Sequence, residues 1–416
     1  MQPVARIDPP GWVTDASTRA VLAALGAAGA VVRFVGGCVR DALLDRPIGD
    51  IDIATQDPPE KVLKLLAAAA IKAVPTGIAH GTVTAVVVTA NGAPRHFEIT
   101  TLRRDVETFG RHARVAFTDD WAADAARRDF TMNALFLDAA GQIFDPVGGL
   151  EDLRAGRVRF VGDAEARIRE DVLRLLRFYR FHAHYGRGRA DAAARQACRK
   201  LAGLLPGLSG ERIAAELLKL LSAPDPLPTI ELMIEDGVLA VLLPEACRRD
   251  RLAGLLPLEP EGDSLRRLAA LLVSELGAVD AVATRLRLPN ATRDRLALLA
   301  APPWPIELGG DERVQRRAVH HLGLDAYRDL VLLRAAETGA GDTARALLAA
   351  ASGRVPPRFP LRGSDVTRLG VPPGPAVGQL LAAIEEWWEA GDFRADRKAC
   401  LARLGEIARA PGAMPP

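Results

Sequence analysis

Apolar and polar residues alternate in the first third of this chain and recur at helical spacing in the rest. Val31 to Val35 is a β-branched run that stops at Gly36-Gly37, and a helical pattern follows through Leu43-Leu44. Gly49-Asp50-Ile51-Asp52-Ile53-Ala54 alternates strictly, which predicts a half-buried strand. Val83 to Val88 and His96 to Thr101 predict two more strands, joined by a turn at Asn91-Gly92. Phe130 to Leu137 and Gln142 to Phe144 fit further strand or helix pieces. Beyond about residue 150 the pattern becomes long Ala/Leu/Arg helices, broken at Leu205-Pro206-Gly207, Ala223 to Pro226, Ala301 to Pro305 and Val355-Pro356-Pro357. No fixed-period repeat is present, which excludes a solenoid. The expected fold is α+β, a small mixed-sheet head followed by an all-helical remainder.

The 416 residues, 49% hydrophobic and 25% charged, can bury a real core and predict several domains rather than a disordered chain. The net charge of only +2 provides no global field to select a partner. Arginine outnumbers lysine 48 to 6, a bias we attribute mainly to genome composition, although its planar fork suits phosphates and base edges. The four cysteines are far apart and form no CxxC pair, which fits a reducing compartment and argues against structural zinc. The opening segment has no apolar signal core, and no run of about 20 apolar residues predicts a membrane span. The cytoplasm is the expected location.

The candidate chemistry begins where a strand runs into Gly36-Gly37-Cys38-Val39-Arg40-Asp41. Glycines let backbone amides approach a ligand closely, a helix start favours phosphate, and Arg40 lies one turn in. A bare tight turn explains Gly-Gly equally well. Asp50 and Asp52, two apart on a strand, would project to one side while Ile51 and Ile53 face the core. Two adjacent carboxylates repel each other, and a hard divalent cation such as Mg²⁺ removes the penalty; a solvated acidic edge is the competing explanation. Glu98, on another alternating strand, is a further candidate ligand or simply an exposed side chain. Arg127-Arg128-Asp129, ahead of Asn133-Ala134, places two arginines where a triphosphate could be clamped, or marks a helix cap with Asp129 as the cap. Asp145 to Leu153 has the character of a hinge. The segment Leu102 to Thr118, with Arg103, Arg104, Gly110, Arg111, His112 and Arg114, predicts a mobile basic loop.

One helix is predicted from Ile168 to Phe181. At 100° per residue Asp171, Arg174 and Arg177 occupy a wedge of about 120°, and Arg180 falls outside it. Such a face offers acceptors and donors to a base edge; a surface i,i+3 ion pair is the simpler account. His320-His321 lacks a following Asp and is expected to be surface or packing rather than a metal-dependent phosphohydrolase site, and Trp387-Trp388 is expected to pack between helices.

In order, these motifs resemble the class II nucleotidyltransferases, the bacterial CCA-adding tRNA nucleotidyltransferases and their poly(A) polymerase relatives. Ser209-Gly210-Glu211-Arg212-Ile213 with Glu216 resembles the family's neck. The resemblance implies a catalytic head over residues 1–148, a helical neck with base recognition over 149–222, and a body and tail contacting tRNA over 223–416. It implies that Asp50 and Asp52, with Glu98, hold Mg²⁺, and that Gly36, Gly37, Arg40 and Arg128 hold the sugar and phosphates of the incoming nucleotide. Asp171 and Arg174 would pair with the base of CTP or ATP, and Arg177 and Arg180 would add contacts. The implied reaction is template-independent addition of C, C and A to the 3′ end of tRNA, with pyrophosphate leaving. A poly(A) polymerase or partial CCA activity is the alternative within the family, and a non-catalytic RNA-binding relative is the alternative outside enzymology.

Overall fold

The computed structural model describes residues 1–89, 92–109, 112–273, 275–353 and 355–409. It divides into two compact units, Met1–Ala246 with Thr284–Leu288, and Cys247–Ala283 with Pro289–Pro416.

The first unit is built on an eight-stranded sheet. Its strands are β1 (Ala5–Arg6), β2 (Val32–Val35), β3 (Ile51–Thr55), β4 (Lys72–Gly77), β5 (Thr82–Val88), β6 (Pro94–Thr101), β9 (Phe136–Leu137) and β10 (Gln142–Phe144). The remaining two, β7 (Arg103–Phe109) and β8 (His112–Phe117), form a separate hairpin. The sheet order is β1-β10-β9-β2-β3-β6-β5-β4. Every pairing is antiparallel except β3 with β6, which is parallel. Because side chains alternate across a strand, register decides which residues share a face. Phe34, Ile53, Ile99 and Val83 align and are buried, covered by the helices Ala16–Gly26 and Pro59–Ala68. On the other face Val35, Ala54, Phe136 and Phe144 pack with Trp121 and Ala125 of the helix Trp121–Ala126. Asp52, Glu98 and Thr84 also align on that second face.

Three expectations change. The basic segment after Leu102 is a β-hairpin rather than a loop, because its residues pair across β7 and β8; Gly110 and Arg111 lie outside the described residues, as does Asn91 of the expected turn. Asp145 to Leu153 keeps the expected turn and helix start, but the turn is clamped. Asp145 accepts from the amides of Val147, Gly149 and Leu150, and a Cβ on Gly149 would lie 2.0 Å from the Thr131 carbonyl oxygen. The helix expected over Ile168 to Phe181 is two helices, Ala164–Glu170 and Leu173–Tyr185.

The second unit is helical. Tyr327, Val331 and Ala335 centre one cluster, and Leu361, Ile384, Trp388 and Leu404 centre another. His321 stacks on Trp304 at 3.8 Å, and His320 bonds the Pro357 carbonyl and Glu385, so both histidines pack as expected. Among the described residues no helix is long and apolar enough to cross a membrane.

Candidate active site

Gly36 follows β2 with φ 78° and ψ −133°, a conformation that a side chain strongly disfavours. A Cβ there would sit 3.4 Å from an Asp52 carboxylate oxygen and 3.5 Å from Arg128 Nη1. The glycine therefore leaves room between an acid and a guanidinium. Gly37 opens the helix Gly37–Ala42, and Arg40 projects from it.

Asp52 stands on β3 between the buried Ile51 and Ile53. Asp50 is not on the strand. It sits in the bend just before β3 and is exposed, because the ladder begins at Ile51. Glu98 is beside Asp52 in the parallel register and exposed. Burial and the neighbouring Glu98 raise the Asp52 pKa to about 6; Arg128 opposes the shift, and Asp50 adds to it. The carboxylates outweigh the one guanidinium facing them, which is the electrostatic condition a hard divalent cation relieves. They are not closed into a finished three-ligand cage. Among the described residues, the one group of three potential ligands lying within 4.8 Å of each other is His320, Glu385 and Glu389, in the second unit. There Glu389 is already bonded by Arg317 and His321.

Arg128 is anchored at Nε and Nη2 by Asp124, at 3.3 and 3.0 Å, which leaves Nη1 toward Gly36. Arg127 shares Asp124. Arg40 is differently placed. It is buried, with Nη1 on Asn133 at 2.7 Å, Nε and Nη2 on Asp41, and its fork 4.2 Å from the Tyr185 ring centre. It ties the glycine turn to the helix Leu173–Tyr185.

The base-reading candidates lie where the two neck helices meet. Asp171 has extended backbone, φ −147° and ψ 107°, and its carboxylate accepts from the Leu173 amide. Arg212 Nη2, from the helix Gly210–Leu221, contacts both Asp171 oxygens at 3.0 and 2.8 Å. A short acid that caps the next helix while bound from outside breaks the helical run there. The helical-wheel wedge therefore does not apply to Asp171. Arg174 donates from Nη1 to Glu170 at 2.6 Å and from Nη2 to the Arg127 carbonyl at 3.1 Å. Arg177 donates from Nε to Asp129 at 2.8 Å and lies 3.7 Å from Glu216, which Arg180 binds at 2.5 Å. Arg180, off the wedge, is thus joined to Arg177 through one acid.

The structure brings Gly36, Asp52, Glu98 and Arg128 together at the sheet. It gathers Asp171, Arg174, Arg177 and Arg180 on the neck, where Arg174 reaches the Arg127 carbonyl and Arg177 reaches Asp129. The contacts that hold them were not read from the sequence: Arg212 and Glu216 appear there only in the neck resemblance, Glu170 only within the predicted neck helix, and Asp124 lies outside every motif. Asp129 was readable only as a cap. It does bond the Phe130 amide, but it also accepts from Asn133 and Arg177.

Comparison with known proteins places this mixed-sheet head and helical neck among the nucleotidyltransferases. The sequence pattern described as the Poly A polymerase head domain matches residues 32–159, and that described as the probable RNA and SrmB- binding site of polymerase A matches 191–249. The CCA-adding enzyme of Geobacillus stearothermophilus is 35% identical over 366 residues, 84% of this chain and 87% of that protein. The mitochondrial CCA tRNA nucleotidyltransferase 1 of Homo sapiens is 32% identical over 382 residues, 90% of this chain and 86% of that protein. The crystal structure of the Bacillus stearothermophilus CCA-adding enzyme in complex with CTP superimposes with a TM-score of 0.74 at 32% identity, covering 94% of this chain and 96% of the other. The chain belongs to the family of CCA-adding tRNA nucleotidyltransferases and poly(A) polymerases.

Proposed function

We propose that this chain adds C, C and A, taken from CTP and ATP, to the 3′ end of tRNA without a nucleic-acid template. The observation that carries this reading is Asp52, crowded by Glu98 and Asp50 and faced by Arg128 across the gap that Gly36 leaves open. Similarity over 84–90% of the chain to enzymes named for CCA addition favours that activity over the other family members.

Asp50, from the bend before β3, and Asp52 would hold Mg²⁺, with Glu98, aligned with Asp52 on one sheet face, as the third carboxylate. The bound metal would lower the pKa of the acceptor hydroxyl and neutralise charge at the α-phosphate. Gly36 and Gly37 admit the triphosphate without a side-chain clash, and Arg128 offers Nη1 to its oxygens. Asp171 supplies an acceptor and Arg174 a donor for the edge of the base, so the protein itself takes the place of a template strand. Arg40, Arg177 and Arg180 hold the glycine turn and neck in register through Asn133, Asp129 and Glu216, and complete the nucleotide pocket. In the reaction the 3′ oxygen forms a bond to the α-phosphorus. The bond from that phosphorus to the bridging oxygen breaks, and pyrophosphate leaves. All four cysteines are free thiols, which supports a cytoplasmic location.

Incubating the protein with tRNA that lacks CCA tests the assignment. CTP alone should add two residues, and CTP with ATP three; incorporation from ATP alone into a growing tail would overturn it. Asp52→Ala should abolish incorporation while tRNA binding persists, and unchanged turnover would refute the carboxylate role.

A further inference from the structure

The helix Trp121–Ala126 carries Asp124, which is 1% exposed. A carboxylate is seldom buried this deeply unless it is paired. Asp124 is paired on both sides. Its Oδ2 accepts from Arg128 Nε and Nη2. Its Oδ1 accepts from Arg127 Nε and Nη2 at 2.8 and 2.7 Å, and from the Arg103 amide at the start of β7 at 3.3 Å. Burial opposes ionisation, but the two guanidiniums outweigh it and hold the carboxyl below its ordinary range.

The two arginines lead toward opposite ends of a bound nucleotide. Arg128, gripped along one edge, turns Nη1 toward Gly36 and Asp52, where the phosphates belong. Arg127 offers its carbonyl to Nη2 of Arg174, the base-reading donor, at 3.1 Å. The Ala126 carbonyl beside it accepts from Arg167 Nη1 of the neck at 3.2 Å. A helix of six residues has little stability of its own, so the bonds at its end decide where both arginines stand. We propose that Asp124 is a positioning residue that fixes the spacing between Arg128 and Arg174, so that fit of the base at the neck is transmitted to the α-phosphorus at the sheet. A base that mismatches Arg174 displaces its nucleotide. Against a fixed Arg128 that displacement reaches the phosphorus, where about 1 Å of misplacement costs about a hundredfold in rate. With Asp124 replaced, the matched nucleotide loses its exact placement, whereas the mismatched one has little left to lose.

This inference rests on the transferase reading, and tRNA ending in CC, to which that activity adds A, separates the two. Single-turnover rates with ATP and with CTP would be measured on this acceptor for the wild type, Asp124→Asn and Arg127→Met. Loss of a hydrogen bond to a charged group corresponds to about tenfold or more in rate. The ATP rate should therefore fall at least about tenfold in Asp124→Asn while the CTP rate changes little, and the preference for ATP should shrink by the same factor. Arg127→Met keeps the Asp124–Arg128 pair and cuts the tie to the base end. It should lose preference in the same direction, and it carries the test where Asp124→Asn fails to fold. A purely structural role would lower the rates with both nucleotides by one factor, because fewer molecules would be active. A wild type that prefers ATP, with variants that keep its preference or lose both rates equally, would overturn this role alone. A wild type that transfers no nucleotide to any RNA would overturn the reaction reading and this role with it.

Discussion

Asp129 shows how one residue couples stability to pH. Burial alone would raise its pKa, but Arg177 and Asn133 bond the ionised form and hold it at about 2, below the ordinary 3.8. A carboxylate depressed in the folded state stabilises it fully above the unfolded pKa and loses that contribution as pH falls through the folded one. The wild type should therefore exceed Asp129→Asn in stability above about pH 4, and the gap should shrink between about pH 4 and pH 2. Urea midpoints of both proteins across that range check it, and a gap independent of pH would refute it. The same residue marks the limit of sequence reading. Gly36 and Asp52 fall where a glycine turn and a strand alternation, both local patterns, put them, whereas Asp50 leaves the expected strand because the ladder begins at Ile51. Asp129 and Arg177 lie 48 positions apart, and Arg212 and Asp171 lie 41 apart. Nothing local in either segment records such a pair.

The strands were legible because alternation is a property of a few consecutive residues: β2, β3, β5 and β6 fall close to their expected places. Element boundaries set by distant partners were not. The long neck helix is broken at Asp171, whose carboxylate accepts from both Arg212 and the Leu173 amide. Likewise the stretch from Asp145 has the composition of a hinge, yet Gly149 is there for contact. It begins the helix Gly149–Ala155, and its missing side chain lets that helix approach the Thr131 carbonyl, next to the arginine motif. Gly149→Ala gains helix propensity but puts a methyl 2.0 Å from a backbone oxygen, so the helix must shift. Overpacking of this kind costs about 1–3 kcal/mol. The variant should unfold at lower denaturant and lose turnover more than RNA binding, as measured by urea melts and single-turnover assays. A stabilised variant would show that the helix start is free to move.

At the scale of the molecule the chain does something no local pattern announces. The first compact unit takes back Thr284–Leu288 after the second has begun. The returning segment is tied in firmly. Arg285 binds Glu245 at 2.8 Å, Arg287 binds Glu211 at 3.2 Å, Leu286 is fully buried, and a Cβ on Gly210 would lie 2.2 Å from the Arg285 carbonyl oxygen. Gly210 and Glu211 begin the helix that carries Arg212 and Glu216, so this segment braces the helix whose Arg212 holds Asp171, the proposed base-reading acid. Two units with separate cores should melt in separable steps, and CTP, whose proposed pocket lies in the first unit, should identify that unit's transition by raising it. Leu286→Ala removes a buried side chain at a cost of about 2–5 kcal/mol. Calorimetry should show the CTP-responsive transition falling in this variant while the other stays in place. The opposite result, with only the CTP-insensitive transition moved, would place Leu286 in the second unit's cooperative core and separate the neck from this support.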